Sequence, residues 1–177
     1  PYRPGDFTQI NAQLNEVMVA RAVRLLNPQK GERIADLFCG LGNFSLPLAK
    51  SGASVVGIEG ADYLVDRARE NARLNRCAGN MTFSVADLFD TDEKTVESWG
   101  QFDKMLLDPP RNGAYAVVKS LHKPFLPRKI VYVSCNPSTF GRDAGVLVDK
   151  GYKFKAAGIM NMFAQTSHVE SIGVFEL

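Results

Sequence analysis

The stretch RIADLFCGLGNFSLPLAKSGASVVGIEG, residues 33–60, decides the fold of this chain. It opens with a short apolar run over Arg33–Phe38, turns through two glycines, and continues with a helical pattern over 44–51. A second apolar run, Ser54–Ile58, follows and ends at an acidic residue. Short, near-continuous apolar runs separated by a helix are typical of neighbouring parallel strands that are buried on both faces.

The same alternation extends outward to both ends of the chain. The predicted helices flanking the first stretch lie at 8–26, 62–75, 91–99, 114–123 and 138–149. The further predicted strands are Met81–Val85, Asp103–Leu107, Lys129–Ser134, 152–159 and 169–176. Only the last two strands follow each other without a helix between them, so they are expected to pair antiparallel at one edge. The pattern predicts an α/β fold: a seven-stranded, mostly parallel sheet with helices on both faces.

Composition excludes several classes of protein. The 177 residues are 45% hydrophobic and 23% charged, which excludes intrinsic disorder as the main description. No apolar run approaches the ~18 residues of a transmembrane helix, and the N-terminus has no signal-peptide pattern. The three cysteines form neither a disulfide framework nor a C-x-x-C zinc motif, which favours a reducing, cytoplasmic location. A net charge of +2 neither requires nor excludes a nucleic-acid partner.

Polar or reactive groups follow the first five predicted strands. Parallel strands end at a common edge, where open α/β sheets bind their ligands. In chain order the groups are Asp36 with Gly40 and Gly42, then Glu59, Asp87, Asp108-Pro-Pro-Arg111 and Cys135-Asn136-Pro137. One such group is ordinary in a loop, but five along one edge predict a site for a cofactor and a substrate.

The glycine turn and the next strand end indicate a nucleotide-like cofactor. Gly40 and Gly42 let the backbone approach a ligand closely, and a carboxylate at Glu59 can accept hydrogen bonds from ribose hydroxyls. Phe44 stands where the dinucleotide fingerprint requires a third glycine, which disfavours an NAD enzyme. Asp36, inside the strand ahead of the glycines, suits S-adenosylmethionine better. A plain tight turn with an exposed acid remains the alternative.

Each of the later groups has two interpretations. Asp87 either meets an adenine amino group or caps the helix at 91–99. Asp108 and Arg111, fixed by two prolines, either read the polar edge of a planar base or form a stiffening salt bridge. Cys135 is either a nucleophile whose pKa is depressed beside a helix N-terminus or a buried, inert thiol.

The last strand adds one candidate base. His168 and Glu170 share one face of this strand, and Glu170 is either a general base across the cleft or a solvated edge residue. With two histidines in the whole sequence, neither a metal cluster nor a Ser–His–Asp arrangement is predicted.

Together these segments resemble the S-adenosylmethionine-dependent RNA uracil-5-methyltransferases. The resemblance covers nearly the whole chain and is closest to the branch that acts on 23S rRNA. The motifs that carry it are Phe7-Thr-Gln9-x-Asn11, DLFCGLGNFSLPLA at 36–49, GIEG at 57–60, NARLN at 71–75, LLDPPRNG at 106–113, VYVSCNP at 131–137 and His168-x-Glu170. The resemblance implies a Rossmann-like class I methyltransferase fold with an antiparallel edge strand.

The resemblance also implies roles for individual residues. Cys135 matches the nucleophile that adds to carbon 6 of uracil, and Glu170 matches the base that removes the carbon 5 proton. Asp108 and Arg111 match positions facing the base. The positions that match the cofactor-contacting set are Gln9, Phe38, Asn43, Glu59, Asp87 and Asp108. Asp87 stands where relatives often have Asn.

The implied partners are S-adenosylmethionine and RNA, with 23S rRNA ahead of tRNA, and no protein partner or membrane. Family members carry an OB-like RNA-binding domain ahead of the catalytic domain, and many carry an iron–sulfur segment. We therefore expect 1–177 to be a catalytic domain cut from a longer chain, and a monomer.

The alternatives are a tRNA enzyme, a cofactor-binding RNA module without catalysis and, more distantly, an NAD oxidoreductase. Arg111 in the DPPR motif argues against base N-methyltransferases, which carry an aromatic residue there. In RNA cytosine-5 enzymes the catalytic cysteine follows a proline, whereas here Pro137 comes after Cys135.

Overall fold

A computed structural model describes residues 12–160 and 169–177. The helices are α1 (Ala12–Leu26), α2 (Ser45–Lys50), α3 (Asp62–Leu74), α4 (Glu93–Trp99), α5 (Tyr115–Ser120) and α6 (Pro137–Asp149), with a short 3₁₀ turn at Ala78–Asn80. The strands are β1 (Arg33–Leu37), β2 (Ser54–Glu59), β3 (Met81–Val85), β4 (Lys104–Leu107), β5 (Lys129–Ser134), β6 (Lys153–Met160) and β7 (Glu170–Glu176).

The strands form a single sheet in the order β3-β2-β1-β4-β5-β7-β6. The pairs among β1 to β5 are all parallel, while β7 runs antiparallel to both β5 and β6. The predicted sheet and its antiparallel edge pair are therefore confirmed. The chain moves outward from β1 to β3 and then returns to β4 on the other side of β1. This reversal makes the β1/β4 boundary a topological switch point, where such sheets open a crevice for ligands.

Helices cover both faces of the sheet and enclose two apolar cores. On one face, α1, α2 and α3 bury residues such as Met18, Leu48 and Val65 against the strands. On the other face, α4, α5 and α6 bury Val96, Val117 and others. The strand interiors of β1, β4 and β5 are almost wholly buried, which explains why their sequences read as apolar runs instead of alternating.

The differences from the predicted boundaries have local causes. Strand β1 stops before Phe38, whose φ of 63° turns the chain out of the sheet. Helix α4 starts at Glu93 because the Asp92 side chain caps it by accepting from the backbone N–H of Thr95. Helix α5 ends at Ser120, several residues earlier than predicted, since Pro124 disfavours helical geometry just ahead of it. The predicted helix at 8–26 is confirmed from Ala12 onward, and its earlier residues lie outside the described part.

At the amino ends of the strands, ion pairs hold the sheet. Glu32, just before β1, accepts from Lys104 Nζ at 2.8 Å and also contacts Arg128. Arg128 in turn contacts Asp103 at 3.0 Å, and Asp103 accepts from the backbone N–H of Arg33 at 2.8 Å. This end of the sheet is thus tied together by paired charges. Across residues 12–160 and 169–177, none of the helices combines the length and the apolar character needed to span a membrane.

Candidate active site

The turn after β1 is built from residues in left-handed backbone conformations. Phe38, Gly40 and Gly42 have φ values of 63°, 52° and 87°. The backbone N–H groups of Phe38 and Cys39 both donate to the carbonyl of Ile58, which ties the turn to the end of β2. The turn is therefore fixed to the sheet, and glycine is needed where its φ is positive.

Helix α3 supports the turn from behind. The side chain of Asn71, which is 6% exposed, donates from Nδ2 to the carbonyl of Leu41 at 3.0 Å. Asn71 stands in the NARLN motif, yet nothing in its sequence context identified this contact. Its role is to hold the crest of the turn in place.

Glu59 terminates β2 and joins the two loops that follow β1 and β2. Its Oε2 accepts from the N–H of Gly40 at 3.1 Å, and its Oε1 accepts from Gly60 at 2.8 Å and from Ala61 at 3.3 Å. A carboxylate offers about four acceptor positions, so Oε2 keeps one for a ligand. A second ligand hydrogen bond would have to displace the long contact from Ala61.

Asp36 lies in β1, fully buried, directly beneath the turn. Its Oδ2 accepts from the hydroxyl of Ser45, and its Oδ1 has no hydrogen-bond partner among the described residues. Burial raises the pKa of Asp36 to about 7 against the lowering effect of Ser45, and the charge of Glu59 raises it further. An unpartnered, buried carboxylate oxygen is costly to a fold, which marks this position as one where a ligand can gain binding energy.

Two aromatic rings lie close together at the turn after β1. Phe38 lies 5.6 Å, centroid to centroid, from Phe89, which is 52% exposed and was not predicted as a site residue. Asp87 precedes Phe89 by two residues, and its Oδ1 accepts from the N–H of Phe89 at 2.9 Å. The interpretation of Asp87 as the cap of α4 is therefore wrong, because Asp92 fills that position.

Asn43, a predicted cofactor contact, is exposed and paired with α1. Its Nδ2 donates to Oδ1 of Asn15 at 3.0 Å, and Nδ2 of Asn15 donates back to its Oδ1 at 3.2 Å. An amide oxygen accepts two hydrogen bonds and an amide nitrogen donates two, so capacity for a ligand remains. Gln9 and His168 lie outside the described residues.

The loop after β4 carries Asp108 and Arg111, and side chains on and beside α6 hold its backbone. The carbonyl of Arg111 accepts from Asn136 Nδ2 at 3.0 Å and from the hydroxyl of Thr139 at 3.1 Å. The N–H of Ala114 donates to Oδ2 of Asp143 at 2.7 Å. These partners on and beside α6 were not foreseen, since each is an ordinary polar residue whose role depends on tertiary contact.

Strand pairing brings Cys135 and Glu170 to the same edge of the sheet. The antiparallel pairing of β5 and β7 ends with Ser134 opposite Ser171, so Cys135 directly follows and Glu170 directly precedes the last bridged pair. The charge of Glu170 acts on the Cys135 thiol, so the two groups lie near each other. Cys135 is half-buried and Glu170 is 6% exposed. Glu170 is therefore not a solvated edge residue, although the sequence left that interpretation open.

Four carboxyl groups lie along one edge of the sheet, at the carboxyl ends of β2, β1 and β4 and at the amino end of the antiparallel strand β7. We call Glu59, Asp36, Asp108 and Glu170 the acidic row. Burial raises the pKa of Asp108 well above its usual value, and the charges of Glu170 and Asp36 add to the effect. Burial likewise raises the pKa of Glu170. None of the four forms an ion pair with another described residue.

The charge state expected for Cys135 needs correction. The sequence suggested a depressed pKa beside the N-terminus of α6, but burial, followed by the negative charges of Glu170 and Asp108, raises the pKa of this thiol. The charge of Arg111 acts in the opposite direction and is outweighed. The first turn of α6 is also partly satisfied, because Asn136 caps it by accepting from Ser138. Cys135 therefore rests as a thiol near neutral pH.

Comparison with known proteins identifies the family. The model of the tRNA (uracil-5-)-methyltransferase family matches residues 2–176. The chain belongs to this family. The resemblance drawn from its motifs is thereby confirmed.

Several members of the family are closely similar to this chain. The 23S rRNA (uracil(1939)-C(5))-methyltransferase RlmD of Neisseria lactamica is 71% identical over 177 residues, covering 100% of this chain and 39% of that protein. The protein of the same name from Chromobacterium violaceum is 58% identical, covering 99% and 34%. The chain thus spans well under half the length of these curated relatives.

A solved structure supports the same assignment. The Pyrococcus abyssi tRNA (uracil-54, C5)-methyltransferase in complex with S-adenosyl-L-homocysteine has a TM-score of 0.82 and 32% identity. The alignment covers 98% of this chain and 41% of that one. The fold is that of the class I S-adenosylmethionine-dependent methyltransferases, as the sequence predicted.

Proposed function

We propose that this chain is the catalytic domain of an enzyme that transfers a methyl group from S-adenosylmethionine to carbon 5 of a uridine in RNA. The observation that carries the proposal is that the Cys135 thiol lies close enough to Glu170 and Asp108 of the acidic row for both charges to act on its pKa. A module that only bound the cofactor would need the glycine turn and Glu59, but not a thiol beside a buried carboxyl group. The names of the Neisseria and Chromobacterium relatives favour 23S rRNA as the substrate.

The residues present fit S-adenosylmethionine. Its sulfonium and ammonium groups are cationic, and the acidic row offers carboxylates without a paired cation among the described residues. The unpartnered Oδ1 of Asp36 is one such acceptor. Among residues 12–160 and 169–177, no group of three or more His, Cys, Asp or Glu side chains has an arrangement that could hold a metal ion.

Each part of the cofactor has a proposed partner. Glu59 would accept from a ribose hydroxyl at its open Oε2 position. Phe38 and Phe89 would pack against the adenine ring, with Asp87 near its amino group. Gln9 and Asn43 complete the proposed cofactor contacts.

The chain's own groups account for the covalent chemistry. Uracil carbon 5 is a weak nucleophile. The Cys135 thiol would first give up its proton to solvent, and the thiolate sulfur would then add to carbon 6 and place electron density on carbon 5, which splits one difficult step into easier ones. S-adenosylmethionine, when bound, supplies the methyl group that carbon 5 accepts. Glu170 then takes the carbon 5 proton, the electron pair re-forms the ring double bond, and the carbon–sulfur bond breaks to return the thiolate.

The environment of Glu170 suits it to removing a proton from carbon. Its raised pKa makes the carboxylate a stronger base than an exposed glutamate. Asp108 and Arg111 are placed on the rigid loop beside Cys135, where they would hold the polar edge of the ring. The target base cannot react while stacked, so the RNA must present it flipped out or unpaired.

The test is to trap the intermediate on RNA. The protein at its full natural length is mixed with S-adenosylmethionine and RNA containing 5-fluorouridine, using 23S rRNA and tRNA fragments in parallel. Fluorine does not leave as a proton does, so the enzyme should remain bonded to the methylated base, and mass spectrometry should map the adduct to Cys135. An adduct with 23S rRNA alone supports the rRNA branch, and an adduct with tRNA alone supports the alternative substrate. The absence of an adduct on both RNAs, with cofactor bound, contradicts the mechanism.

A further inference from the structure

We propose that a clamp formed by side chains of β5, of helix α6 and of its N-cap positions the Asp108–Ala114 loop against Cys135, and that its buried members, Tyr132 and Asp143, are positioning residues for methyl transfer. The inference rests on the proposed function, because it concerns the alignment of the base-holding loop with the nucleophile. The loop clamp is defined as the side chains of Tyr132, Asn136, Thr139, Arg142 and Asp143. Each of them bonds the loop backbone or another member of the clamp.

The centre of the clamp is a buried triangle of hydrogen bonds. The Tyr132 hydroxyl donates to Oδ2 of Asp143 at 2.7 Å and accepts from the N–H of Ala114 at 3.0 Å. The same Oδ2 accepts from that N–H at 2.7 Å. Tyr132 and Asp143 are both 0% exposed. Such a network is shielded from water, so each bond is strengthened and its geometry is narrowly defined.

The outer part of the clamp grips the rest of the loop. Arg142 donates from Nε to Oδ1 of Asp143 at 2.8 Å and from Nη2 to the carbonyl of Asn112 at 2.9 Å. Asn136 and Thr139 donate to the carbonyl of Arg111. The loop is therefore held at three of its four last residues.

The fit between loop and clamp is close. A Cβ built on Gly113 would lie 2.6 Å from Oδ2 of Asp143 and 2.7 Å from Nη2 of Arg142. Real Cβ atoms do not approach other atoms so closely, and the φ of Gly113 is +77°. The glycine lets the loop backbone rest directly on the clamp.

The clamp has consequences for chemistry because α6 begins two residues after Cys135. Asn136, next to Cys135, both caps α6 and holds Arg111. One rigid unit therefore sets the position of the nucleophile and of the loop that carries Asp108 and Arg111. Misplacement of reacting groups by about 1 Å can lower a rate by about 100-fold, so a loosened clamp should slow methyl transfer without weakening cofactor binding.

The main test compares two buried tyrosines. Tyr132→Phe removes the clamp hydroxyl and leaves the ring. Tyr152→Phe is the matched control, because Tyr152 is 2% exposed and its hydroxyl donates to the carbonyl of Pro127 at 2.6 Å, away from the clamp. Single-turnover methyl transfer to RNA is measured at saturating cofactor, together with the cofactor Kd, the melting temperature and hydrogen exchange of residues 111–114.

Tyr132→Phe is expected to slow methyl transfer about tenfold, to leave the cofactor Kd within about twofold, and to raise exchange in 111–114. Tyr152→Phe is expected to lower the melting temperature about as much as Tyr132→Phe does, since each loses one buried hydrogen bond. Its rate of methyl transfer is expected to stay within about twofold of the rate of the unsubstituted protein. Equal transfer rates in the two variants would overturn the proposal.

A second pair keeps the inference testable if Tyr132→Phe does not fold. Thr139 is half-buried, and its hydroxyl donates to the carbonyl of Arg111. Thr139→Val removes this hydroxyl, whereas Thr139→Ser keeps it. Slow transfer in Thr139→Val with recovery in Thr139→Ser supports the clamp, and equal rates contradict it. Failure of the unsubstituted protein to methylate RNA would instead contradict the proposed function.

Discussion

At the amino ends of the strands Glu32 lies 2.8 Å from Lys104 and contacts Arg128, whereas at the carboxyl ends Asp36 is bonded only to a serine among the described residues. Burial raises the pKa of Glu32, but hydrogen bonds from Lys104 and Gln29 and the neighbouring cations outweigh it, so its pKa is lowered. The pKa values of Asp36, Asp108 and Glu170 are all raised. The same sheet thus carries paired charges at one end and, at the other, carboxyl groups that have no cationic partner among the described residues.

The difference separates stability from function. Paired acids at the amino ends hold strands and loops together. Buried, unpaired acids cost folding free energy, and a fold retains them where a ligand or a reaction uses them. Strongly perturbed carboxyl groups at the topological switch point are therefore best explained by a cationic ligand and by proton transfer.

Cys135→Ala should have the largest effect on the site. Loss of the nucleophile should lower methyl transfer by at least about 10⁴-fold, because the covalent route disappears. Cofactor binding should change little, since the glycine turn belongs to different loops. Rates come from transfer of labelled methyl groups to RNA, and binding comes from calorimetry. Cys77→Ala is the control, because Cys77 is a buried cysteine that is not among the proposed site residues. Transfer to carbon 5 that persists in Cys135→Ala would refute the role of Cys135.

Glu170→Gln should slow turnover by about 10²–10³-fold and leave a covalent protein–RNA adduct, because elimination waits for removal of the carbon 5 proton. The adduct is followed by denaturing gels with unmodified uridine in the RNA. The substitution also removes a negative charge that raises the pKa of Cys135. Alkylation of Cys135 by iodoacetamide near pH 8 should therefore be faster in this variant. Normal turnover would exclude Glu170 as the base.

Neutralising an acid should have opposite effects on stability at the two ends. Asp36 has a pKa of about 7 in the folded protein against 3.8 as a free group, so ionisation disfavours folding increasingly from pH 3.8 to pH 7. The shift of about 3 units corresponds to about 4 kcal/mol. Asp36→Asn should therefore raise the free energy of unfolding by about 2–4 kcal/mol above pH 7 and have little effect below about pH 4. Urea unfolding at several pH values measures this.

Glu32→Gln is the matched substitution at the other end. It leaves Lys104, whose side chain is 6% exposed, without its carboxylate, and should lower the free energy of unfolding by about 3 kcal/mol. The pKa of Glu32 is lowered below 4.5, so its contribution is present above that pH and lost as pH falls through the folded value. The deficit of the variant should accordingly shrink in acid. Stabilisation by Glu32→Gln at pH 8 would remove the contrast between the two ends.

Much of the fold could be predicted because apolar runs and helical periodicity are local signals. The strands Met81–Val85 and Lys129–Ser134 were predicted with the bounds that the structure has. The errors lie at the ends of elements. A capping side chain such as Asp92 or a nearby proline decides where a helix begins or ends, and several strand bounds differ by one residue. The sequence also predicted the final strand pair, but the insertion of β7 between β5 and β6 depends on long-range pairing.

The site could be predicted only in part. Strand ends placed Asp36, Glu59, Asp108 and Cys135 at one edge of the sheet, since parallel topology brings them together. The pKa of Cys135 could not be predicted, because it depends on burial and on Glu170, which arrives from a strand far along the chain. Tyr132 and Asp143 were missed for the same reason. Their hydroxyl and carboxylate acquire a function only when α6 packs against the loop.

The most direct test of the account compares two ligands that differ by one methyl group and one positive charge. The affinities of S-adenosylmethionine and S-adenosylhomocysteine are measured by calorimetry at pH 6 and pH 8, with Asp36→Asn as the control. Their amino-acid and adenosine parts are the same, so the affinity ratio isolates the sulfonium. The ratio should rise severalfold with pH as Asp36 ionises near pH 7, and the rise should be smaller in Asp36→Asn. A ratio that does not change with pH in the unsubstituted protein would contradict the claim that the acidic row holds the cationic cofactor.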